Sequence, residues 1–340
     1  MEICKLINEI ILGDSLSSLK GISNDTFDLV ITSPPYFQQR DYGNGDFGIG
    51  NEIGENEYIE NLLAIFNECV RVSKKDAVLV FNIGDKYLNG GLSLIPYKFA
   101  IRAMNNKEIF LINQLTWSKL NPTPRQEKRK LIQATEPFFI FAKAKGYNFD
   151  LQNYLSHLDE MNKSNKKKPT ERIGKKYFEL IESSNLGKEQ QEKARKALTE
   201  AIMAVKSGEI ESFRMKISGV HKLAYGGQAG GRNDQIRNNG FTIIKLLGNK
   251  IKKDLIESPV EITKDNFHPA VYPLYIIQEL IKLLSKSGDL VLDPFCGSGT
   301  TCLAAKNLNR NYVGIEINPD YVALSKKRLE IADFSQEILI

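Results

Sequence analysis

Apolar positions along the first 145 residues alternate between two spacings. Short β-branched or aliphatic runs fall at 8–12, 27–32, 77–83, 109–117 and 136–142. Between them, 56–72 ("NEYIENLLAIFNECVRV") repeats its apolar residues every three or four positions, and 94–105 does so more weakly. Strands alternating with helices in this way predict a parallel sheet with crossover helices. The segment 118–135 ("SKLNPTPRQEKRKLIQAT") holds too many prolines and charges for a strand or a long helix, so a long and often functional kind of loop is expected there.

From about 150 to 265 the pattern changes to a lysine-rich run ("NKSNKKKPTERIGKK"), a charged helical stretch over 188–207 and the segment "YGGQAGGRNDQIRNNG". That last segment is either a flexible glycine linker or a display of Arg232, Asn233, Gln235, Arg237 and Asn238, residue types that reach phosphates and base edges. The α/β pattern resumes after 266, with a helix over 273–286, a strand over 289–293, a glycine turn, a helix over 300–308, a strand over 311–315 and a helix over 319–331. Neither flanking piece could cover both faces of a sheet alone. The expected architecture is therefore α/β: one doubly wound, mostly parallel, seven-stranded sheet built from 1–150 and 266–340. An inserted, largely helical basic domain would occupy 151–265.

The 340 residues, 42% hydrophobic and 26% charged, suffice for a sizeable core. No run approaches the roughly 20 apolar residues of a membrane helix, and the start "MEICKLINEIILGDS" lacks a cleavable leader pattern, so a cytoplasmic protein without membrane contact is expected. Cys4, Cys69, Cys296 and Cys302 form no CxxC pair and His157, His221 and His268 are scattered, which points to neither a metal site nor a disulfide framework. The net charge of +5 is unevenly spread: 151–265 carries 22 Lys and Arg against 15 Asp and Glu. Such an excess fits a nucleic-acid partner or simply a solvated surface.

Two stretches suggest chemistry. In "LVITSPPYFQQRDYG" (29–43) an apolar strand runs into Ser33, Pro34, Pro35 and Tyr36. The prolines remove two donors and fix two φ angles, which suits either an ordinary turn or a rigid acceptor facing a ligand. In "GDLVLDPFCGSGTTCLAAKNLNRNYVGIEINPDY" (288–321) a strand ends at Asp293, Gly297 and Gly299 allow a close turn, Thr300 and Thr301 open a helix, and the next strand ends at Glu316. An acid about 20 residues after the first strand end suits ribose hydroxyls, while GxGxxG and the P-loop lysine are both missing, so an adenosyl-type ligand is expected.

"TSPPY" (32–36) followed by "DPFCGSGTT" (293–301) resembles the β group of amino-group DNA methyltransferases, S-adenosylmethionine-dependent enzymes acting on cytosine N4 or adenine N6. The resemblance covers about 1–145 and 266–331, and 151–265 stands where that group carries target recognition. It implies a class I methyltransferase-like sheet with permuted motif order. It also implies that Asp293, Phe295, Gly297 and Gly299 line the methionine end of the cofactor, that Glu316 holds the ribose, that Asp14 in "ILGDSLSSL" contacts the adenine, and that His268 in "FHPAVYP" neighbours the cofactor. Ser33 and the Pro34 carbonyl would accept hydrogen bonds from a flipped base's amino group, with Tyr36 stacked on the base. Arg125, Lys128, Arg129 and Lys130 of the long loop, with Arg232 and Arg237, are candidates for DNA phosphates; the same residues also fit a solvated charge run.

Serine at the first motif position favours cytosine N4 in double-stranded DNA, with adenine N6 as the alternative. Protein or RNA methylation, or a non-catalytic DNA-binding regulator, stands behind both. Cytosine C5 chemistry is disfavoured because no Pro-Cys occurs. A separate restriction endonuclease is the expected partner in a restriction-modification system, the enzyme itself acting as a monomer or homodimer.

Overall fold

The computed structural model describes residues 6–39, 48–122, 129–158, 160, 173–221, 231–246, 252–260 and 272–337. The chain divides into two units, Met1–Tyr154 with Lys253–Ile340, and Leu155–Lys252. His268, Arg125 and Lys128 lie outside the described residues.

The N-terminal part runs β1 (Glu9–Leu12), α1 (Ser15–Lys20), β2 (Phe27–Thr32), α2 (Glu55–Val72), β3 (Ser73–Asn82), the short β4 (Tyr87–Leu88) and β5 (Gly91–Leu92), α3 (Ile95–Ala103), β6 (Phe110–Lys119) and β7 (Thr135–Ala142). The second unit holds α4 (Lys175–Glu182), α5 (Lys188–Lys206), β8 (Ser212–Ile217), α6 (Arg232–Asn239) and β9 (Phe241–Leu246). The chain then adds β10 (Leu255–Ser258), α7 (Leu274–Leu284), β11 (Leu290–Asp293), α8 (Thr300–Asn307), β12 (Asn311–Glu316) and α9 (Pro319–Glu337).

The two flanking pieces interleave in a single sheet of order β1-β12-β11-β2-β3-β7-β6-β10. β1 is an edge strand, and β11 and β12 from the C-terminal part sit between it and β2. Pairing is parallel from β1 to β3, and β7 runs antiparallel to both β3 and β6. The parallel strands β2 and β11 are buried nearly throughout, as strands covered on both faces must be. α2 supplies one cover: Tyr58, Ile59, Leu62, Ile65, Phe66, Cys69 and Val70 repeat at helical spacing and are all buried. Phe66 meets Phe81 and Phe141 of the sheet edge-on, with ring centroids 5.2 Å away in each case, and Phe99 of α3 at 5.5 Å.

Three sequence expectations change. Among the described residues the sheet has eight strands, where seven are expected: β10, only "LIES", pairs in parallel with β6, and four residues inside a charged run carry too little pattern to be read as a strand. The second unit accordingly ends at Lys252 rather than near 265. That unit also contains an antiparallel pair, β8 with β9, and Arg232–Asn239 is a helix rather than a linker. Its own core gathers Ile181, Leu198, Met215 and Ile217, flanked by Tyr177 and Phe213.

Candidate active site

The C-terminal ends of β1, β12, β11 and β2 lie side by side, and the loops leaving them form a cleft lined by Asp14, Ser33, Pro34, Pro35, Phe295, Gly297 and Glu316, among others. Ligands in open α/β sheets settle outside the carboxyl ends of the strands, where neighbouring connections diverge. Seven of the residues singled out in the sequence thus share one cavity wall.

The turn after β11 is built around a buried carboxylate. Asp293, 1% exposed, accepts from Thr32 Oγ1 (2.6 Å) and the Phe295 N–H (3.1 Å) on one oxygen, and from Thr301 Oγ1 (2.6 Å) and Tyr272 Oη (3.1 Å) on the other. Burial pushes its pKa up, and these four donors pull it back. With four donors on its two oxygens Asp293 fixes the turn, and it stands behind the part of the cleft wall that Phe295 and Gly297 form. Gly297 and Gly299 take φ of 50° and 80°, the left-handed region open to glycine, and a Cβ on Gly299 would stand 2.8 Å from Ser325 Cβ. Gly299 opens α8 and is not part of the cleft wall either; its role is to let α9 approach. Arg328 of α9 clamps the same turn through the Ser298 carbonyl (2.6 Å) and hydroxyl (2.9 Å).

Glu316 ends β12. Its two oxygens accept from the Gly297 and Asn318 N–H groups, each at 2.9 Å, and the Ile317 N–H is a third backbone donor, which leaves a lone pair for a hydroxyl. Burial raises its pKa. Asp14 caps α1 with one oxygen (Ser17 N–H, 2.8 Å), which leaves the other available to an amino group. Phe295, Ile317, Tyr321 and Ile49 give the cleft an apolar lining suited to a flat ring. A nucleoside with ribose hydroxyls and an exocyclic amine fits this donor and acceptor set.

The turn after β2 contributes Ser33, Pro34 and Pro35 to the wall. Tyr58 Oη donates to the Pro35 carbonyl (2.9 Å), whereas among the described residues no hydrogen bond to the Pro34 carbonyl forms. Tyr36, the last residue of the motif, packs against the turn that follows β3. It is 9% exposed, lies outside the cleft wall and packs on Gly84 so closely that a Cβ there would be 2.4 Å from its ring. Its hydroxyl donates toward Asn82 Oδ1 (2.8 Å) and Glu136 Oε2 (3.0 Å). The ring is thus part of the support of the turn.

Of the DNA-binding candidates, Arg129 is exposed just before β7. Neighbouring Lys130 lies over the Tyr87 ring at 4.3 Å. In the second unit Arg232 and Arg237 are exposed on α6, Arg237 lying 3.8 Å from Asp234. Sequence reasoning named Thr301 only as a helix opener and missed Tyr272, Thr32, Arg328, Asn82 and Glu136. Only Glu136 left a signal, as a lone charge opening the apolar strand "TEPFFIFA".

Two strand-end turns, one presenting acceptors and one shaped for a nucleoside, facing a common cleft are the arrangement of a group-transfer enzyme. A family model described as DNA methylase (N6_N4_Mtase) matches residues 27–327, both turns included. The chain belongs to that DNA methylase family. It is an amino-group DNA methyltransferase, and its cofactor is S-adenosylmethionine. Similar proteins include the type II methyltransferase M.SmaI of Serratia marcescens, 25% identical over 352 residues (94% of this chain, 90% of the relative). M.PvuII of Proteus hauseri is 26% identical over 340 residues (96% and 84%). Among solved structures, the cytosine-N4-specific PvuII DNA methyltransferase superposes with a TM-score of 0.58 at 18% identity, covering 94% of this chain and 85% of that one. A DNA modification methylase of Thermus thermophilus, complexed with S-adenosyl-L-methionine, gives 0.53 at 20% identity, with 95% and 93% covered. Among the described residues no helix is long and apolar enough to cross a membrane, and no group of three or more His, Cys, Asp or Glu is placed to hold a metal.

Proposed function

We propose that this family member methylates the exocyclic N4 of cytosine in double-stranded DNA, as the modification arm of a restriction-modification system in the bacterial cytoplasm. The observation that carries the reading is the shared cleft: Ser33 and Pro34 stand in the same wall as Glu316 and Asp14. Glu316 and Asp14 would hold the ribose and the adenine of S-adenosylmethionine, with Phe295 and Gly297 beside them. When bound, that cofactor supplies an electrophilic methyl group on a sulfonium, which needs no metal to leave.

The target nitrogen is a poor nucleophile because its lone pair is delocalised into the ring. Ser33 Oγ and the Pro34 carbonyl are two acceptors on one rigid turn, and the two amino protons of a base match them. Holding both protons draws the nitrogen toward tetrahedral geometry and stabilises the positive charge it acquires in the transition state. A base reaches this turn only by leaving the duplex, at a cost of a few kcal/mol. The basic second unit, with Arg232 and Arg237 on α6, is the reading's target-recognition module, and Arg129 adds a phosphate contact. Serine at position 33 and the likeness to a cytosine-N4-specific enzyme support cytosine over adenine.

The test is to incubate the protein with labelled cofactor and duplex DNA, digest the DNA to nucleosides and identify the labelled product. N4-methylcytosine is expected. N6-methyladenine would move the target within the family, and 5-methylcytosine would overturn the mechanism.

A further inference from the structure

The Ser33 hydroxyl offers nothing but lone pairs to the target amine when its own proton is engaged elsewhere. Two oxygens stand in reach, Tyr36 Oη at 3.2 Å and Asn82 Oδ1 at 3.4 Å. Asn82 is fully buried at the end of β3, and its Nδ2 donates to the Pro137 carbonyl (3.0 Å), which settles that Oδ1 faces the two hydroxyls. Tyr36 Oη has one proton and, among the described residues, Asn82 Oδ1 at 2.8 Å and Glu136 Oε2 at 3.0 Å in reach as acceptors. The other oxygen of Glu136 is paired with Lys119 Nζ, and the side chains of Lys119 and Glu136 are only 18% and 12% exposed. Lys119 also lies over the Trp117 ring at 5.0 Å.

The proton count then fixes the direction of the chain. Glu136 Oε2 and Asn82 Oδ1 both accept from the Tyr36 hydroxyl, so its single proton is shared between them, Asn82 at 2.8 Å and Glu136 at 3.0 Å. Tyr36 Oη and Asn82 Oδ1 each keep a lone pair on the side of Ser33, and the Ser33 proton turns toward them and away from the cleft. The serine presents only lone pairs to a ligand. Packing alone does not require this arrangement, since an apolar set of similar volume could join β3, β7 and the turn at comparable stability.

We infer that Tyr36, Asn82 and Glu136, with Lys119 as the counter-charge, are positioning residues that polarise Ser33 into a dedicated acceptor for the target amino group. The inference rests on the amine-holding role proposed above for Ser33. It gives the Tyr36 hydroxyl a function beside the stacking expected of its ring.

Tyr36→Phe keeps the ring against Gly84 and removes only the hydroxyl, and Glu136→Gln keeps an acceptor oxygen and removes the charge. The single-turnover rate of methyl transfer is measured at saturating cofactor and DNA, with both dissociation constants determined alongside. The expected result for Tyr36→Phe is a fall of about tenfold or more in rate with both constants within about twofold of wild type, and a smaller fall for Glu136→Gln. In a Ser33→Ala background, Tyr36→Phe should cost nothing further, because the group it orients is already gone. A Tyr36→Phe enzyme at the wild-type rate, or one whose loss simply multiplies with that of Ser33→Ala, overturns the inference. A wild-type protein that places no methyl on DNA overturns the proposed function and this inference together, whereas an active wild type with an unimpaired Tyr36→Phe overturns the inference alone.

Discussion

The turns after β2 and β11 leave neighbouring strands at the same end of the sheet, yet they solve opposite problems with opposite residues. After β2 the chain uses Pro34 and Pro35, which remove donors and stiffen the backbone, so acceptors project into the cleft. After β11 it uses Gly297 and Gly299 with positive φ, so that backbone can pass close to Glu316 and to α9. One hydrogen bond joins the two turns: Thr32 Oγ1 to Asp293 Oδ1 at 2.6 Å, across 261 positions of sequence. Proline serves where lone pairs must be exposed, and glycine where a nucleoside and a helix must come near.

If the turns divide the labour in this way, damage to each should have its own signature. Ser33→Ala should lower single-turnover methyl transfer by about a hundredfold or more, the usual scale for losing one preorganised hydrogen bond to a transition state. Glu316→Ala should weaken cofactor binding by about tenfold to a hundredfold, as expected for lost hydrogen bonds to a charged group, and excess cofactor should restore much of the rate. Titration calorimetry against S-adenosylmethionine checks this. A pH series sharpens the same point. Burial raises the proton affinity of Glu316, so as pH falls its carboxylate takes up a proton earlier than an ordinary glutamate would, and cofactor affinity should weaken in that acid window. Glu316→Gln should bind more weakly throughout and lose that acid dependence.

Smaller effects probe the supports. Gly299→Ala places a Cβ 2.8 Å from Ser325 Cβ at a φ of 80°. Its expected cost is about 1–3 kcal/mol, read as a lower melting temperature, with the Ser33 turn left intact. Arg237→Ala in the second unit should touch neither turn. It should reduce the slope of log affinity for DNA against log salt by about one and weaken binding evenly across sequences.

Much of this site was legible in the sequence because its backbone devices are local. Spaced glycines and acids at strand ends carry their meaning within a few residues, so Gly297 and Glu316 stand out from their own segment. The prolines beside Ser33, in contrast, read equally as an ordinary turn and gain meaning only from the joint resemblance of "TSPPY" and "DPFCGSGTT" to the DNA methyltransferases. What stayed hidden depends on strands distant in sequence becoming neighbours. Nothing near Asp293 in sequence announces that Thr32, Tyr272 and Thr301 bond its oxygens. Nor does the motif around Tyr36 announce Asn82 and Glu136 at its hydroxyl. β10 escaped for the same reason, since four residues become a strand only through pairing with β6.

The division of labour between the turns is tested most directly by the dissociation constant of S-adenosylmethionine for Ser33→Ala, measured on the preparation that has lost methyl transfer. The account predicts a constant within about twofold of wild type, because a residue that acts on the transition state alone leaves ground-state binding unchanged. A constant weakened as far as that of Glu316→Ala would contradict it.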